Sequence, residues 1–250
     1  MKILRYTYKD ACGYGVLQDE DIRPIIGDIF SDFTLSEKRI PFQEAILLVP
    51  CEPTKIIAVG LNYSEHAKEM QEEQLKDPVL FTKPTTALLP HGGRICRPAV
   101  SQRIDYEAEL AVVIGKTCKN ITAEEAENFI LGYTCLNDVT ARDLQKQDGQ
   151  WTRAKGFDTF APVGPWIETE LDTKSLSIRL EVNGEVRQQG NTDMMMFSPQ
   201  KLVSFVSGIM TLLPGDIITT GTPSGIGPME PGDEVSVIID KIGTLTNIME

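Results

Sequence analysis

Short apolar runs cut by Gly and Pro, not long helical repeats, set what this chain can fold into. IIAVG, IITTG, EVSVIID and TLTNIM read as strands, with PSGIGP and EPGDE as turns between them. LSIRLEVNGEVRQQG predicts a hairpin that turns at Asn183-Gly184, because both central residues of such a turn need positive φ. Three stretches read as helix. SEHAKEMQEEQL opens on Ser64 as a cap and is polar nearly all round. AEEAENFI follows Thr122, with Glu125 at capping-box spacing. PQKLVSFVSGIM has Ser198 as cap and Pro199 at the first helical position. Strands that do not alternate with long helices argue against a doubly wound parallel sheet. The expectation is an α+β chain, mostly β, built as a sandwich or roll.

The N-terminal part stands apart. Residues 1–52 carry strand-like pieces (KILRYTY, YGVLQ) and no chemistry-bearing cluster, which suggests a small β-rich domain. LLVPCEPTK reads as a linker into a main domain spanning 53–250. With 41% apolar and 24% charged residues, the composition is that of an ordinary soluble protein. The net charge of −12 argues against nucleic-acid binding, which needs a basic face. No apolar run approaches the ~20 residues that span a bilayer, and MKILRYTYKD has no secretory signal, so no membrane partner is expected. Five scattered cysteines without a CxxC pair fit a reducing, cytoplasmic compartment. Two histidines are too few for a multi-histidine zinc site.

Three acids stand out against this background. Glu107 and Glu109 lie two apart in RIDYEAELAVVIG, so on a strand both carboxylates project to one side. The run continues apolar on both faces, which implies burial. Asp138, in CLNDVTARD, follows another apolar strand-like run. Carboxylates that converge in a buried place repel each other unless a cation sits between them. Hard oxygen ligands with open positions suit Mg²⁺ or Mn²⁺. The plainer reading is an acidic solvent face.

Further residues could serve such a centre. His66 and Glu69 are three apart on the first helix, and a carboxylate beside an imidazole suits a base that activates water. A solvated pair on a polar helix is the plainer reading. Arg142 and Gln145 follow Asp138 and are placed to meet a substrate carboxylate, while Arg142 has Asp143 or Asp138 as alternative partners. Lys155, in RAKGFDTFAPVGP, suits an oxyanion. Thr222, in TTGTPSGIGP, offers a hydroxyl within a loop that exposes backbone N–H groups or is simply a structural turn.

The order of IIAVGLNYSEHAKEM, PVLFTKP, DYEAELAVVIG, NDVTARDLQ, AKGFDTFAPVGP and GDIITTGTPSGIGP resembles the fumarylacetoacetate hydrolase superfamily, in its small acylpyruvase-like and 2-hydroxyhepta-2,4-diene-1,7-dioate isomerase-like branch. The resemblance covers residues ~53–250, and the first ~50 residues resemble a small extra domain of bacterial members. It implies a β-sandwich roll, Mg²⁺ or Mn²⁺ on Glu107, Glu109 and Asp138, a water-activating lid dyad of His66 and Glu69, and a pocket lined by Lys155, Thr222, Arg142 and Gln145. It also implies a homodimer. The expected activity is hydrolysis of a C–C bond in 2,4-dioxo acids of acylpyruvate or fumarylpyruvate type, through a pyruvate enolate held at the metal. The alternatives are an isomerase or decarboxylase of 2-hydroxyhepta-2,4-diene-1,7-dioate-type intermediates, an oxaloacetate decarboxylase, or a binding protein without turnover. One position departs from the pattern: Leu61 stands where some acylpyruvase relatives carry Arg.

Overall fold

Three β-sheets carry the chain in this computed structural model, which describes residues 1–69 and 76–250 apart from the side chains of 66–68. The first expected helix is present as Ser64–Glu69, and its continuation lies outside the described residues. The largest sheet has thirteen strands. Its N-terminal end is a meander of Lys2–Tyr8, Ala11–Gln18 and Asp21–Gly27. The main part runs Ala161–Glu168, Ile130–Asn137, Ala108–Ile114, Ile217–Thr219, Ile56–Gly60 and Val79–Lys83. The two parts share one ladder, since Lys2 and Ile3 pair with Glu168 and Ile167.

The second sheet has five strands, with Ser177–Val182 and Glu185–Asn191 at one edge. They form the expected hairpin, with Asn183 at φ 52° and Gly184 at φ 78°. The ladder shifts register between Leu180 and Glu181, so Arg187 is an extra residue in the edge strand. The third sheet joins Thr140–Ala141, Ile104–Tyr106 and Gly227–Pro228.

Every residue of Ala108–Ile114 is buried, as its continuous apolar run implied. Leu110 and Val112 face a core shared with Ile178, Leu180, Val235 and Val237 of the second sheet, which makes the sandwich. Ala111 and Val113 face the other way, against Ile56, Leu136, Val163 and Ile217 of their own sheet. The large sheet therefore curls around its own apolar face, which makes the roll.

The helix Pro199–Ile209 begins as expected, with Ser198 Oγ accepting from Lys201 N. The second expected helix is corrected. Thr122 N does donate to Glu125 Oε2, but the chain then makes only the 3-10 turn Ala126–Phe129, because it enters the strand Ile130–Asn137 at once. Two short helices, Arg142–Asp148 and Thr152–Lys155, were not anticipated. Among the described residues no helix is long and apolar enough to cross a membrane.

Candidate metal centre

Two antiparallel strands leave the large sheet together and enter the small one. Ala108 faces Asn137 in the first, and Asp105 faces Thr140 in the second. Glu107 sits at the crossing on one strand and Asp138 on the other, joined by Asp138 N donating to Glu107 O at 2.9 Å. Asn137 Oδ1 accepts from Glu107 N at 2.9 Å and fixes the bend. Glu109 lies two residues further, on the same side as Ala111 and Val113. Its Oε2 accepts from Gly221 N at 2.8 Å. Gly221 is required there: φ is 85°, and an added Cβ would lie 2.8 Å from Asn62 Cβ.

The three acids meet. Glu107, Glu109 and Asp138 are all buried, with one oxygen from each within 4.8 Å of the other two. Burial first, and then the charges of Asp138 and Glu107, push the Glu109 carboxyl well above the usual carboxylate range. A divalent cation between these oxygens removes that repulsion, and three hard donors with open positions fit Mg²⁺ or Mn²⁺.

Buried cations brace the acids. Lys155 Nζ donates to Glu107 Oε2 at 2.8 Å and to Asp138 Oδ2 at 2.6 Å. Burial pushes Lys155 down, but Asp138 and Glu107 outweigh it and hold the ammonium above its usual range. Lys83 Nζ takes the other oxygen of Asp138, Oδ1, at 2.5 Å, and also Val139 O at 3.1 Å. Lys83 is pushed below its usual range by burial, against the pull of Asp138. Each carboxylate oxygen has two lone pairs, so both ammonium contacts leave Asp138 able to accept more.

Arg142 corrects an expectation. It pairs with neither Asp138 nor Asp143. Its Nε donates to Asp105 Oδ2 at 2.9 Å, a terminal nitrogen donates to Glu107 Oε1, and the other donates to Gln145 Oε1 at 2.5 Å. With its Oε1 held by the guanidinium, Gln145 keeps its amide NH₂ as a donor, and the residue lines the pocket. Asp143 instead accepts from Ser101 Oγ and Gln102 N, which docks the Arg142–Asp148 helix.

Glu107, Glu109, Asp138, Arg142, Gln145 and Lys155 line one cavity of about 40 Å³ with Val59, Leu61, Phe81, Trp151 and Thr222. Its apolar wall is aromatic: Phe81 and Trp151 meet edge to face at 5.1 Å. Leu61 stands in that wall in the left-handed region, at φ 60°. Glu69, the last described residue of its helix, is exposed and accepts from Gly225 N at 3.2–3.3 Å. The GTPSGIGP loop is thus bonded at Gly221 to Glu109 and at Gly225 to Glu69. The His66 side chain lies outside the described residues.

A family model for fumarylacetoacetate (FAA) hydrolase, C-terminal, matches residues 55–250. The chain belongs to the fumarylacetoacetate hydrolase family. A second model, Rv2993c-like, N-terminal, matches residues 1–50. Protein Rv2993c of Mycobacterium tuberculosis is 48% identical, with 99% of this chain and 97% of that protein covered. The crystal structure of 2-hydroxyhepta-2,4-diene-1,7-dioate isomerase from Mycobacterium marinum matches at TM-score 0.94 and 43% identity, covering 100% of this chain and 98% of that one. Maleylpyruvate hydrolase from Sphingobium sp. SYK-6 matches at TM-score 0.84 and 31% identity, covering 100% and 99%. This fumarylacetoacetate hydrolase family member therefore has hydrolases and isomerases as structural neighbours, in the mostly-β fold its sequence suggested.

Asp105, Lys83, Phe81, Trp151 and Gln188 were not singled out from the sequence. Asp105 was within reach of the same logic, since D-x-E-x-E extends the alternation by one step. Lys83 closes the apolar strand Val79–Lys83 and carries no signal that separates it from a surface lysine.

Proposed function

We propose that this protein is a Mg²⁺- or Mn²⁺-dependent hydrolase that cleaves the C3–C4 bond of 2,4-dioxo acids of the acylpyruvate or fumarylpyruvate type. The observation that carries the reading is the trio of buried carboxylates with oxygens within 4.8 Å, opening on a pocket that also offers Lys155, Gln145 and Thr222. Glu107, Glu109 and Asp138 would hold the ion. A divalent cation there would supply Lewis acidity to a bound keto acid, which would favour negative charge at C3.

The buried charge supports an anionic substrate. Asp105, Glu107, Glu109 and Asp138 face Lys83, Arg142, Lys155 and, at Asp105, Arg103, so four negative groups meet four positive ones. Two further positive charges would make the cluster net positive and welcome an anion.

The remaining roles follow from the residues. His66, with Glu69, takes a proton from water as its oxygen adds to the C4 carbonyl. The Lys155 ammonium and the Gln145 amide stabilise the oxyanion. Collapse sends the C3–C4 electron pair to C3, giving the enolate of pyruvate and a carboxylic acid, and the proton on His66 is available to C3. Thr222 donates to a substrate oxygen, and Arg142 orients Glu107 and Gln145.

A second reading is isomerisation of a 2-hydroxyhepta-2,4-diene-1,7-dioate-type acid, which needs the same enolate and no attacking water. The higher identity to the isomerase neighbour than to the hydrolase favours it. The test is loss of ultraviolet absorbance by acetylpyruvate with Mg²⁺, with Mn²⁺ and with EDTA, beside oxaloacetate and hydroxymuconates. Metal-dependent formation of acetate and pyruvate is the expected result. Turnover in EDTA refutes the metal reading, and isomerisation without cleavage selects the second.

A further inference from the structure

The edge strand Glu185–Asn191 holds one fully buried side chain, Gln188, with Val186, Arg187 and Gln189 beside it exposed. The register shift at Arg187 turns this glutamine inward, toward the metal-ligand strand and the TGTP loop. A buried amide at an exposed edge is costly unless every hydrogen-bonding atom is used. Here every one is. Oε1 accepts from Ala108 N at 2.9 Å, the backbone N–H between Glu107 and Glu109. Nε2 donates to Pro223 O at 2.8 Å and to Thr222 Oγ1 at 2.8 Å.

These partners fix the direction of each bond. A backbone N–H can only donate, so Oε1 must face Ala108. A carbonyl can only accept, so Nε2 must face Pro223, and the amide admits no flip. Thr222 Oγ1 is therefore an acceptor from Gln188. A hydroxyl has one hydrogen and two lone pairs, and no protein acceptor takes that hydrogen among the described residues. Thr222 lines the pocket beside Glu107 and Glu109. The loop is pressed against the same strand, since a Cβ on Gly190 would lie 2.6 Å from Pro223 Cβ.

We propose that Gln188 is a positioning residue whose amide makes Thr222 Oγ1 an obligate hydrogen-bond donor to an oxyanion bound in the pocket. The ligand class is a carboxylate or enolate oxygen of a small keto acid. The same amide ties the Ala108 peptide to the loop, so the spacing of Glu107 and Glu109 and the aim of Thr222 are set together. This inference deepens the metal-dependent reading and rests on it.

Oxalate, a planar dianion shaped like the enolate of pyruvate, is the probe. Its affinity for Mn²⁺-loaded protein is measured by calorimetry, together with Mn²⁺ affinity and with KM and kcat for acetylpyruvate. Gln188→Met and Thr222→Val are each expected to weaken oxalate about ten- to a hundredfold, the range for losing a hydrogen bond to a charged group. KM should rise by the same factor with kcat changed far less. The double variant should be no weaker than Thr222→Val alone, and Thr222→Ser should keep wild-type affinity. If Gln188→Met does not fold, Gln188→Glu takes its place. Its carboxylate accepts the Thr222 hydrogen bond and cannot donate to Pro223 O, so oxalate affinity should fall at least as far. Wild-type protein that binds oxalate, with variants that leave its affinity unchanged or losses that simply add, refutes the inference alone. Wild-type protein that does not bind oxalate with Mn²⁺ refutes the metal-dependent reading, and the inference falls with it.

Discussion

Replacing Glu109 by Gln should stabilise the protein without metal and remove most of its stabilisation by metal. Glu109 is buried beside Glu107 and Asp138, with oxygens within 4.8 Å. At that distance and an effective dielectric of about 20, each like-charge pair costs about 3.5 kcal/mol. Lys155, close to the other two acids, cancels part of this for Glu109 as well. Glutamine keeps the volume and still accepts from Gly221 N. In EDTA the net gain should be about 1–3 kcal/mol, or roughly 2–10 °C in melting temperature for a chain of this size. With Mg²⁺ at a hundred times its Kd, wild type should gain about 2.7 kcal/mol, and the variant only a small fraction of it. The lead of Glu109→Gln should therefore shrink by more than about 2 kcal/mol, or reverse, when metal is added. The pH dependence has a matching sign. The folded-state pKa of Glu109 is raised, so its contribution is most favourable when protonated and is lost as pH rises from the unfolded value of about 4.3 through the raised one. Metal-free wild type should lose stability over that rise relative to Glu109→Gln. A variant that is less stable in EDTA and keeps the full Mg²⁺ shift refutes both the crowding of charge and the cation site.

Two other outcomes are expected. Lys83→Met removes one of the two buried ammonium groups on Asp138 and leaves Lys155 paired with it, so denaturant unfolding should report a loss of about 1–3 kcal/mol, the range for a lost hydrogen bond to a charged group; a loss below about 0.5 kcal/mol refutes a stabilising ion pair. His66→Ala should cut acetylpyruvate hydrolysis about 10²–10⁴-fold while Mn²⁺ affinity stays within a factor of about three; unchanged turnover refutes the general-base role.

The features legible in the chain were local. Asn183-Gly184 specified its hairpin because few residues accept two positive φ angles in a row, and Ser198 specified a helix start through one hydrogen bond to Lys201 N. Glu107 and Glu109 were legible because strand alternation puts them on one side, though Glu107 sits at a junction between two strands and not within one. The partners of these acids were not legible. Lys83 reaches Asp138 across 55 positions, and Gln188 reaches Ala108 across 80. Nothing in their own neighbourhoods distinguishes them from surface residues. The Arg142–Asp148 helix has little apolar periodicity, and it forms because Asp143 and Arg142 are gripped by Ser101, Gln102 and Asp105 from another segment. The Thr122–Glu125 bond suits a full helix and a single turn alike, and the strand at Ile130 decides how far the turn can run.

The double clasp of Lys83 and Lys155 on Asp138 gives the chain its own resident counter-ions. A newly made molecule can close its interior around the acids before any ion is captured. On the proposed metal-dependent reading, loading would then be a late step, open to competition among whatever divalent ions the surroundings offer, and separate from the search for the native state.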